Sequence, residues 1–321
     1  MTRVAVFFLG GTISMAGSDG AVVPRLGPAD LLSSIPGLDT LGVTVDAEDF
    51  RRIPSANIAI ADMAELVGKA AAGDADGYVV VQGTDTIEET SFLIDLLWSS
   101  AAPIVVTGAM RNPTLAGADG PANLLAAIAV AASAAFRGQG ALVVLDDEVH
   151  AARYVGKLHT TSTGAFGSPN NGPIGRIDEG FVRSYASVRR VPSWPLPTRE
   201  VRVPLVVTVL DDDGVLIDAL DPAAIDGLVV AGFGGGHVPA RQAQRLGELA
   251  ATTPVVLASR AWSGSVLTRT YGAVGLEIDL IERGLIPAGL LDPLKARLLL
   301  AVLVAADTPR DAIAPAFAAY G

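Results

Sequence analysis

Short runs of β-branched apolar residues alternate with stretches of helical periodicity along most of this chain, and this alternation limits the fold more than any other feature. In the clearest case, Val79–Val81 precede Gly83, and apolar residues at helical spacing follow over 87–97. Comparable apolar runs lie at 3–9, 43–46, 103–107, 140–145, 205–210, 227–231 and 255–258. Further helices are predicted at 27–35, 60–72, 120–135, 239–251, 291–306 and 309–320. Strands that alternate with helices pair in parallel, so the sequence predicts an α/β fold.

The alternation is interrupted twice, which suggests a division into domains. Between 154 and 175, β-branched and polar residues mix with turn residues, which predicts a β-hairpin region at the sheet edge. Prolines then recur between 188 and 204, as is typical of a linker. We therefore predict a larger N-terminal domain with a mostly parallel sheet and a β-hairpin (1–190), a proline-rich linker (191–204) and a smaller C-terminal α/β domain (205–321).

The composition excludes several classes of function. A formal net charge of -11 over 321 residues repels polyanions, so nucleic acid is not expected as a partner. The chain has no cysteine, and its three histidines show no metal-ligand spacing, so no metal site is expected.

Two apolar runs bear on targeting to membranes. The run at 3–9 stops at paired glycines and has no small-residue cleavage site, so it is interpreted as a first strand and not as a signal peptide. The run at 298–306 is too short to cross a bilayer. We therefore expect no membrane partner and a cytoplasmic protein.

Two hydroxyls and a carboxylate, Thr84–Thr86, follow the predicted strand at 79–81 and its closing Gly83. Ligands of α/β proteins bind where the carboxyl end of a strand meets the amino end of a helix. Helix capping is the alternative, since Asp85 with Glu88, and Thr86 with Glu89, match capping boxes. Capping accounts for one such pair but not for the whole cluster, so we favour a ligand site.

Two further positions carry candidate site residues. Thr12 follows Gly10 and Gly11 at the end of the first predicted strand, where paired glycines let the backbone approach a ligand closely. Taken alone, an ordinary turn explains that motif equally well. Lys157 lies among apolar and hydroxyl residues, and both a solvated lysine and a partly buried amine with a tuned pKa remain open.

Segments distributed along the chain resemble the bacterial-type L-asparaginase family. They are LGGTIS at 9–14, QGTDTIEET at 82–90, TGAMR at 107–111 with ADGPANL at 118–124, and GKLHT at 156–160. They occur in the family's order and at fitting distances, from Arg3 to the C-terminal helices. The resemblance implies hydrolysis of asparagine, and often glutamine, to the acid and ammonia without metal or cofactor. It also implies a homodimer or homotetramer whose subunits share active sites.

The resemblance implies roles for individual residues. Thr12 matches the family's nucleophile, while Thr84, Asp85 and Lys157 match the group that positions or activates the attacking species and moves protons. Ser55 matches a ligand of the substrate carboxylate, and Asp85 would also bind the substrate ammonium.

The resemblance implies two more substrate-binding residues. Their assignment rests on their spacing along the chain more than on a sequence motif. Counting back from Lys295, Glu277 falls where the family supplies a carboxylate across a subunit interface. His237 falls where the family offers an asparagine from the neighbouring subunit.

The chain departs from the family pattern at two places. The loop at 16–23 has no aromatic residue, whereas the family usually has a tyrosine there that works with the nucleophile. Either another residue takes that role, or activation of Thr12 is weaker. Gln82 stands where a histidine often precedes the GTDT motif, so we expect altered pH behaviour and not loss of function.

A threonine hydroxyl needs a base within hydrogen-bond reach to act as a nucleophile. Lys157, Asp85 and Glu277 are the candidate bases. Burial would lower the pKa of Lys157 and let it accept a proton through Thr84, whereas Asp85 would favour the charged ammonium. The sequence leaves the identity of the base open.

Acyl transfer also needs donors for the developing oxyanion, typically worth about 3 kcal/mol each. The expected donors are backbone N–H groups at Gly11, Thr12, Gly83 and Thr84. We expect Thr12 to form an acyl-enzyme that water hydrolyses to aspartate.

Three alternatives are considered. Within the family, a subunit of a tRNA-dependent amidotransferase is one, although an extra N-terminal domain would be expected for it. From a different class, a binding or sensing protein could have kept the pocket and lost catalysis with the lid tyrosine. A nucleotide-binding protein is disfavoured, because the turn at 232–237 lacks the last glycine of the dinucleotide fingerprint. The preference between asparagine and glutamine is not readable from the sequence.

Overall fold

The computed structural model forms two compact units, Met1–Ser193 and Trp194–Gly321. It describes residues 1–11, 27–33 and 35–320, and the backbone of short strands at 15–16 and 23–24. Each unit has its own sheet and its own buried apolar cluster.

The first unit is organised around a mixed sheet. Its strands are β1 (Thr2–Phe8), β2 (Met15–Ala16), β3 (Val23–Pro24), β4 (Val43–Asp49), β5 (Gly77–Val81), β6 (Ile104–Thr107), β7 (Ala141–Leu145), β8 (Glu148–Ala151), β9 (Gly156–Lys157), β10 (Phe166–Gly167), β11 (Gly175–Asp178) and β12 (Phe181–Ser184). Among the described residues, eight strands form one sheet in the order β12-β11-β8-β7-β6-β5-β1-β4. Strands β4, β1, β5, β6 and β7 run parallel, and β8, β11 and β12 add an antiparallel edge. The remaining strands pair as β2 with β3 and β9 with β10.

Helices cover the central strands of this sheet. They are α1 (Pro28–Ser33), α2 (Ile60–Ala72), α3 (Ile87–Leu97) and α4 (Gly120–Ala132). Helix α4 packs on β5, β6 and β7, and α3 packs on β6 and β7. Every side chain of Val79–Val81 is fully buried, as expected for a strand with both faces covered. Burial of each contributes roughly 1.5–3 kcal/mol.

The second unit has a smaller, parallel sheet in the order β13-β14-β15-β16, formed by β13 (Leu205–Val207), β14 (Leu228–Gly232), β15 (Val255–Ser259) and β16 (Ile286–Pro287). Its helices are α5 (Val215–Asp218), α6 (Ala240–Thr252), α7 (Glu277–Glu282), α8 (Pro293–Ala305) and α9 (Arg310–Ala318). The predicted fold class is confirmed: a larger α/β unit with a mostly parallel sheet and a hairpin, and a smaller α/β unit. Across the described residues, no helix has the length and apolarity needed to span a bilayer.

Local side-chain contacts set several element boundaries differently from the sequence pattern. The helix predicted to reach 135 ends at Ala132, because the Ser133 side chain accepts a hydrogen bond from the backbone N of Ala135 and begins a separate turn. Helix α8 begins later than predicted, at Pro293, because the Asp292 carboxylate caps it through the backbone N of Lys295 at 3.0 Å. Helix α7 and strand β16 were not predicted, because each is too short to show a period.

A buried histidine lies on β8, outside the site predicted from the motifs. Its ring is 3.0 Å from Ser168 Oγ at Nδ1 and 3.3 Å from Glu148 Oε2 at Nε2. Only 1% of His150 is exposed, and this burial lowers the pKa of its imidazole from 6.5 to about 4. Below pH 6.5 the unfolded chain therefore binds a proton that the native state does not.

We expect stability to fall as pH drops from 6.5 through 4, with His150 contributing up to about 3 kcal/mol of the loss. The variant His150→Gln lacks the titrating group, so its free energy of unfolding should depend less steeply on pH over this interval. Urea denaturation of both proteins at pH 7, 5.5 and 4 measures the difference. Parallel curves for the two proteins would contradict the assignment.

Candidate active site

Two glycine-bearing strand ends lie side by side in the first unit. Strands β1 and β5 pair in parallel with Phe8 opposite Val81, and Leu9 N donates to Val81 O at 2.8 Å. Two residues further on, Gly11 lies directly against Gly83, and a Cβ on Gly11 would be 2.3 Å from the Gly83 nitrogen. The φ of Gly11 is +98°, in the region that favours glycine. The last glycine of the GGT motif and the glycine of the GTDT motif therefore meet backbone to backbone.

Thr12, the predicted nucleophile, lies outside the described residues, and so do residues 17–22 of the loop at 16–23. Gly11, which immediately precedes Thr12 in the chain, is buried against Gly83. The described part of the site is therefore the side that follows β5, together with Gly11.

Four of the predicted site residues form one hydrogen-bonded cluster, which we call the Thr84–Lys157 cluster (Ser55, Thr84, Asp85 and Lys157). Lys157 Nζ donates to Thr84 Oγ1 at 2.9 Å and lies 3.4 Å from Asp85 Oδ1. Ser55 Oγ donates to Asp85 Oδ2 at 3.1 Å and accepts a hydrogen bond from the Asp85 backbone N at 3.3 Å. Residues from three separated segments of the sequence thus share one network.

Burial differs strongly among members of this cluster. Ser55 and Thr84 are buried, and the Lys157 side chain is only 16% exposed. Two environments were considered for Lys157, a solvated side chain and a partly buried amine, and the structure supports the partly buried amine. The Asp85 side chain is 68% exposed, so its carboxylate faces solvent and is accessible to a cationic group of a ligand. The cluster thus combines a sheltered ammonium and hydroxyl with an open carboxylate.

The Thr86 side chain makes a contact other than the predicted helix cap. Thr86 occupies the N-cap position of α3 but makes no side-chain capping bond there. Its hydroxyl instead donates to the backbone O of Ser55 at 3.1 Å. Glu88 Oε2 accepts a hydrogen bond from the backbone N of Lys157 at 2.8 Å. These contacts hold the turn against the segments that carry Ser55 and Lys157.

Gln82, which replaces the family's common histidine, is fully buried behind the turn. Its Oε1 accepts from Thr90 Oγ1 at 2.9 Å, and its Nε2 donates to Gly83 O at 3.2 Å and to Thr86 Oγ1 at 3.4 Å. The amide does not titrate in the physiological range, so these contacts persist where a histidine would change charge.

Asp119 and Asn123 fix neighbouring loops at the same edge of the sheet, and no role was predicted for either. The Asp119 carboxylate accepts from the backbone N of Met110 at 2.9 Å and of Arg111 at 2.8 Å. Asn123 Nδ2 donates to Gly108 O at 3.0 Å, and its Oδ1 accepts from Asp146 N at 3.1 Å. Both residues belong to the ADGPANL motif, so the sequence marked their positions. Only the fold shows that these side chains join the ends of β6 and β7.

The second unit brings together the two residues expected from spacing alone. His237 Nε2 lies 3.0 Å from Glu277 Oε2, while Glu277 Oε1 accepts from the backbone N of Thr270 at 2.9 Å and of Tyr271 at 2.6 Å. Glu277 is fully buried. Burial by itself would raise the pKa of this carboxyl, but hydrogen bonds from Tyr271, Thr270 and His237 outweigh it, and the pKa is lowered. Glu277 is therefore an ionised carboxylate that orients the His237 ring.

Both units match models of known protein families. Residues 3–190 match the asparaginase N-terminal domain, and residues 202–317 match the glutaminase/asparaginase C-terminal domain.

Curated proteins and a solved structure are similar over nearly the whole chain. Identity is 38% to a protein named probable L-asparaginase from Deinococcus radiodurans, covering 99% of this chain and 97% of that one. It is 32% to L-asparaginase 2 from Escherichia coli (94% and 88% covered) and 33% to glutaminase-asparaginase from Pseudomonas aeruginosa (94% and 86%). The crystal structure of probable cytoplasmic L-asparaginase from Campylobacter jejuni superposes with a TM-score of 0.88 at 30% identity, covering 99% of both chains.

The Gly11–Gly83 contact leads to a prediction about a single added methyl group. Gly11→Ala places a Cβ where the Gly83 backbone lies and adds strain at positive φ, so we expect a loss of about 3 kcal/mol or more in stability, with loss of ligand binding. Thermal and urea denaturation measure the first effect, and calorimetric titration with aspartate measures the second.

Gly42→Ala is the matched control, because Gly42 also has positive φ (63°) but a Cβ added there would meet no other atom within 4 Å. It should lose only about 1–2 kcal/mol and keep ligand binding. Equal effects of the two substitutions would show that the close approach is unimportant.

Proposed function

This chain belongs to the bacterial-type L-asparaginase family, and we propose that it converts L-asparagine to L-aspartate and ammonia through attack by the Thr12 hydroxyl. Relatives named L-asparaginase cover nearly all of the chain, which supports amide hydrolysis as its activity. The observation that carries the mechanism is the 2.9 Å hydrogen bond from Lys157 Nζ to Thr84 Oγ1, beside the open carboxylate of Asp85. Glutamine is a secondary substrate in this proposal.

The described side chains suit the two charged ends of an amino-acid substrate. The exposed carboxylate of Asp85 pairs with the substrate ammonium. Without substrate, Ser55 Oγ donates to Asp85 Oδ2 at 3.1 Å. When substrate binds, the hydroxyl rotates and donates this hydrogen to the substrate carboxylate. The side-chain amide then extends toward the junction of Gly11 and Gly83, where Thr12 follows in the chain. Binding at both charged ends fixes the orientation of the amide before the reaction begins.

In the first step the Thr12 oxygen forms a bond to the amide carbon, and the carbonyl oxygen becomes an oxyanion. Backbone N–H groups at Gly11–Thr12 and Gly83–Thr84 stabilise this charge. The hydroxyl proton moves to the amide nitrogen by a relay in which Thr84 and Lys157 each release one proton and take up another; the C–N bond then breaks, and ammonia leaves. Water then attacks the ester, the bond to the Thr12 oxygen breaks, a proton from that water goes to this oxygen, and aspartate is released. The partly buried Lys157 suits this role, since its amine is sheltered yet bonded to a hydroxyl.

The proposal extends to assembly and location. His237 and Glu277 complete the substrate site of a neighbouring subunit, in a homodimer or homotetramer of cytoplasmic location. The domain that extends over 205–321 supplies these residues, and the domain that extends over 1–190 supplies the remainder. The observation that supports a shared role is the hydrogen bond between His237 and the buried, ionised Glu277.

The first test measures ammonia release by the purified protein with asparagine and glutamine side by side. We expect turnover of asparagine, a lower rate with glutamine, and loss of at least about 10³-fold in Thr12→Ala, because the nucleophile is removed. Mass spectrometry after a rapid quench should find an aspartyl adduct on Thr12.

Two outcomes would count against this proposal. Binding of aspartate without any release of ammonia would indicate a sensing protein. Retention of most turnover by Thr12→Ala would show that another group attacks the amide.

The second test concerns the Thr84–Lys157 pair. Thr84→Ala and Lys157→Met should fold normally and lose about 10²–10⁴-fold in kcat, because the route for the proton is broken. Lys69→Met is the matched control, because Lys69 is half exposed on α2 and pairs with Glu48, so kcat should stay within about twofold. Near-wild-type rates in both site variants would remove the pair from the mechanism.

A further inference from the structure

Glu88 forms a hydrogen bond that connects helix α3 to the backbone of Lys157. Its Oε2 accepts the Lys157 N–H at 2.8 Å across 69 residues of sequence. Glu88 lies in the first turn of α3, where the partial positive charge of the helix N-terminus favours an ionised carboxylate. A hydrogen bond from a backbone N–H to a charged carboxylate is about twice as strong as a neutral one.

Lys157 lies on a very short strand, so a further contact to its backbone helps to fix its position. Strand β9 contains only Gly156 and Lys157, and it pairs with the equally short β10 outside the eight-stranded sheet. Thr84, in contrast, lies three residues after the end of the fully buried strand β5. The 2.9 Å contact between Lys157 Nζ and Thr84 Oγ1 therefore joins a firmly fixed hydroxyl to an amine on a two-residue strand.

Gly156 leaves the room that this hydrogen bond requires. A Cβ at Gly156 would lie 3.2 Å from Glu88 Oε2, close enough to push the carboxylate by a few tenths of an ångström. The backbone at Gly156 is outside the positive-φ region, so an alanine there would perturb the carboxylate without adding backbone strain.

We propose that Glu88 is a positioning residue: it fixes the backbone of Lys157 to α3 and thereby places the ammonium on Thr84. This inference rests on the proposed function, because it assigns Glu88 a role only through Lys157. Glu88 contributes no reacting atom. Displacement of a catalytic group by about 1 Å can cost on the order of 100-fold in rate, so loss of this one hydrogen bond has a measurable effect.

The experiment compares Glu88→Ala, Glu88→Gln and Gly156→Ala in the ammonia assay. Glu88→Ala should lower kcat by about 10–100-fold and leave KM within about threefold, because substrate binding does not involve Glu88. Glu88→Gln keeps an acceptor oxygen and should recover kcat to within about threefold of wild type. Gly156→Ala should fall between them.

Asp62→Ala is the matched control for loss of a carboxylate that binds a backbone N–H. Asp62 lies in the first turn of α2 and accepts the Ala59 N–H at 2.9 Å, far in sequence from Lys157. It should lower the thermal midpoint by an amount similar to Glu88→Ala while leaving kcat within about twofold. A loss of kcat in Asp62→Ala equal to that in Glu88→Ala would reduce the role of Glu88 to general stability and overturn the proposal.

A double-mutant cycle with Lys157→Met separates this inference from the mechanism. If Glu88 acts through Lys157, adding Glu88→Ala to Lys157→Met should cause no further loss of kcat. Full additivity, or a Glu88→Gln variant as impaired as Glu88→Ala, would overturn the positioning role. An active Lys157→Met variant would instead remove Lys157 from the proposed route of the proton, whereas an inactive Lys157→Met with fully active Glu88→Ala would refute only the role of Glu88.

Discussion

The backbone contact between Gly11 and Gly83 is the constraint on which the rest of the site depends. It exists because β1 and β5 pair in parallel, so that both chains leave the sheet at the same edge and in the same direction. A side chain on Gly11 would overlap the Gly83 backbone, which leaves glycine as the residue that fits. Through this contact Gly11 and Gly83, one glycine from each threonine motif, are fixed by the paired strands that precede them.

Electrostatic balance is the second requirement of this arrangement. Sheltering the Lys157 ammonium from water is costly unless its hydrogens are bonded, and Thr84 and Asp85 supply partners at 2.9 and 3.4 Å. Because Asp85 is mostly exposed, solvent screens its attraction for the lysine and leaves the carboxylate available to a substrate cation. Ser55, buried beside it, holds the carboxylate in place from the other side. One charge is thus protected while its partner stays accessible.

Different parts of the molecule were predictable from the sequence to different degrees. Helix α2 runs over the predicted residues 60–72, because a long amphipathic pattern indicates its own period. Helix α7 was missed, because its six residues, which begin at the buried Glu277, contain too few turns to show a helical period. Within the site, the motifs identified Thr84, Asp85 and Lys157 as candidates, yet the environment of Lys157 stayed undecided. Asp119 and Asn123 belong to a recognised motif, but no role was predicted for either residue. Their hydrogen-bond partners are backbone atoms of residues that follow other strands, which the motif does not indicate.

By itself, the sequence determined the α/β class, the order of the longer strands and helices, and the family, because β-branched runs, helical periodicity and short motifs are local properties. Only the tertiary structure decided which of those local features meet. It buried the Lys157 amine against Thr84, directed the Thr86 hydroxyl to Ser55 and a Glu88 oxygen to the Lys157 backbone, and joined His237 to Glu277. The physical reason is that burial and hydrogen-bond partners depend on segments tens of residues apart, which strand pairing and helix packing bring together and which no local pattern encodes.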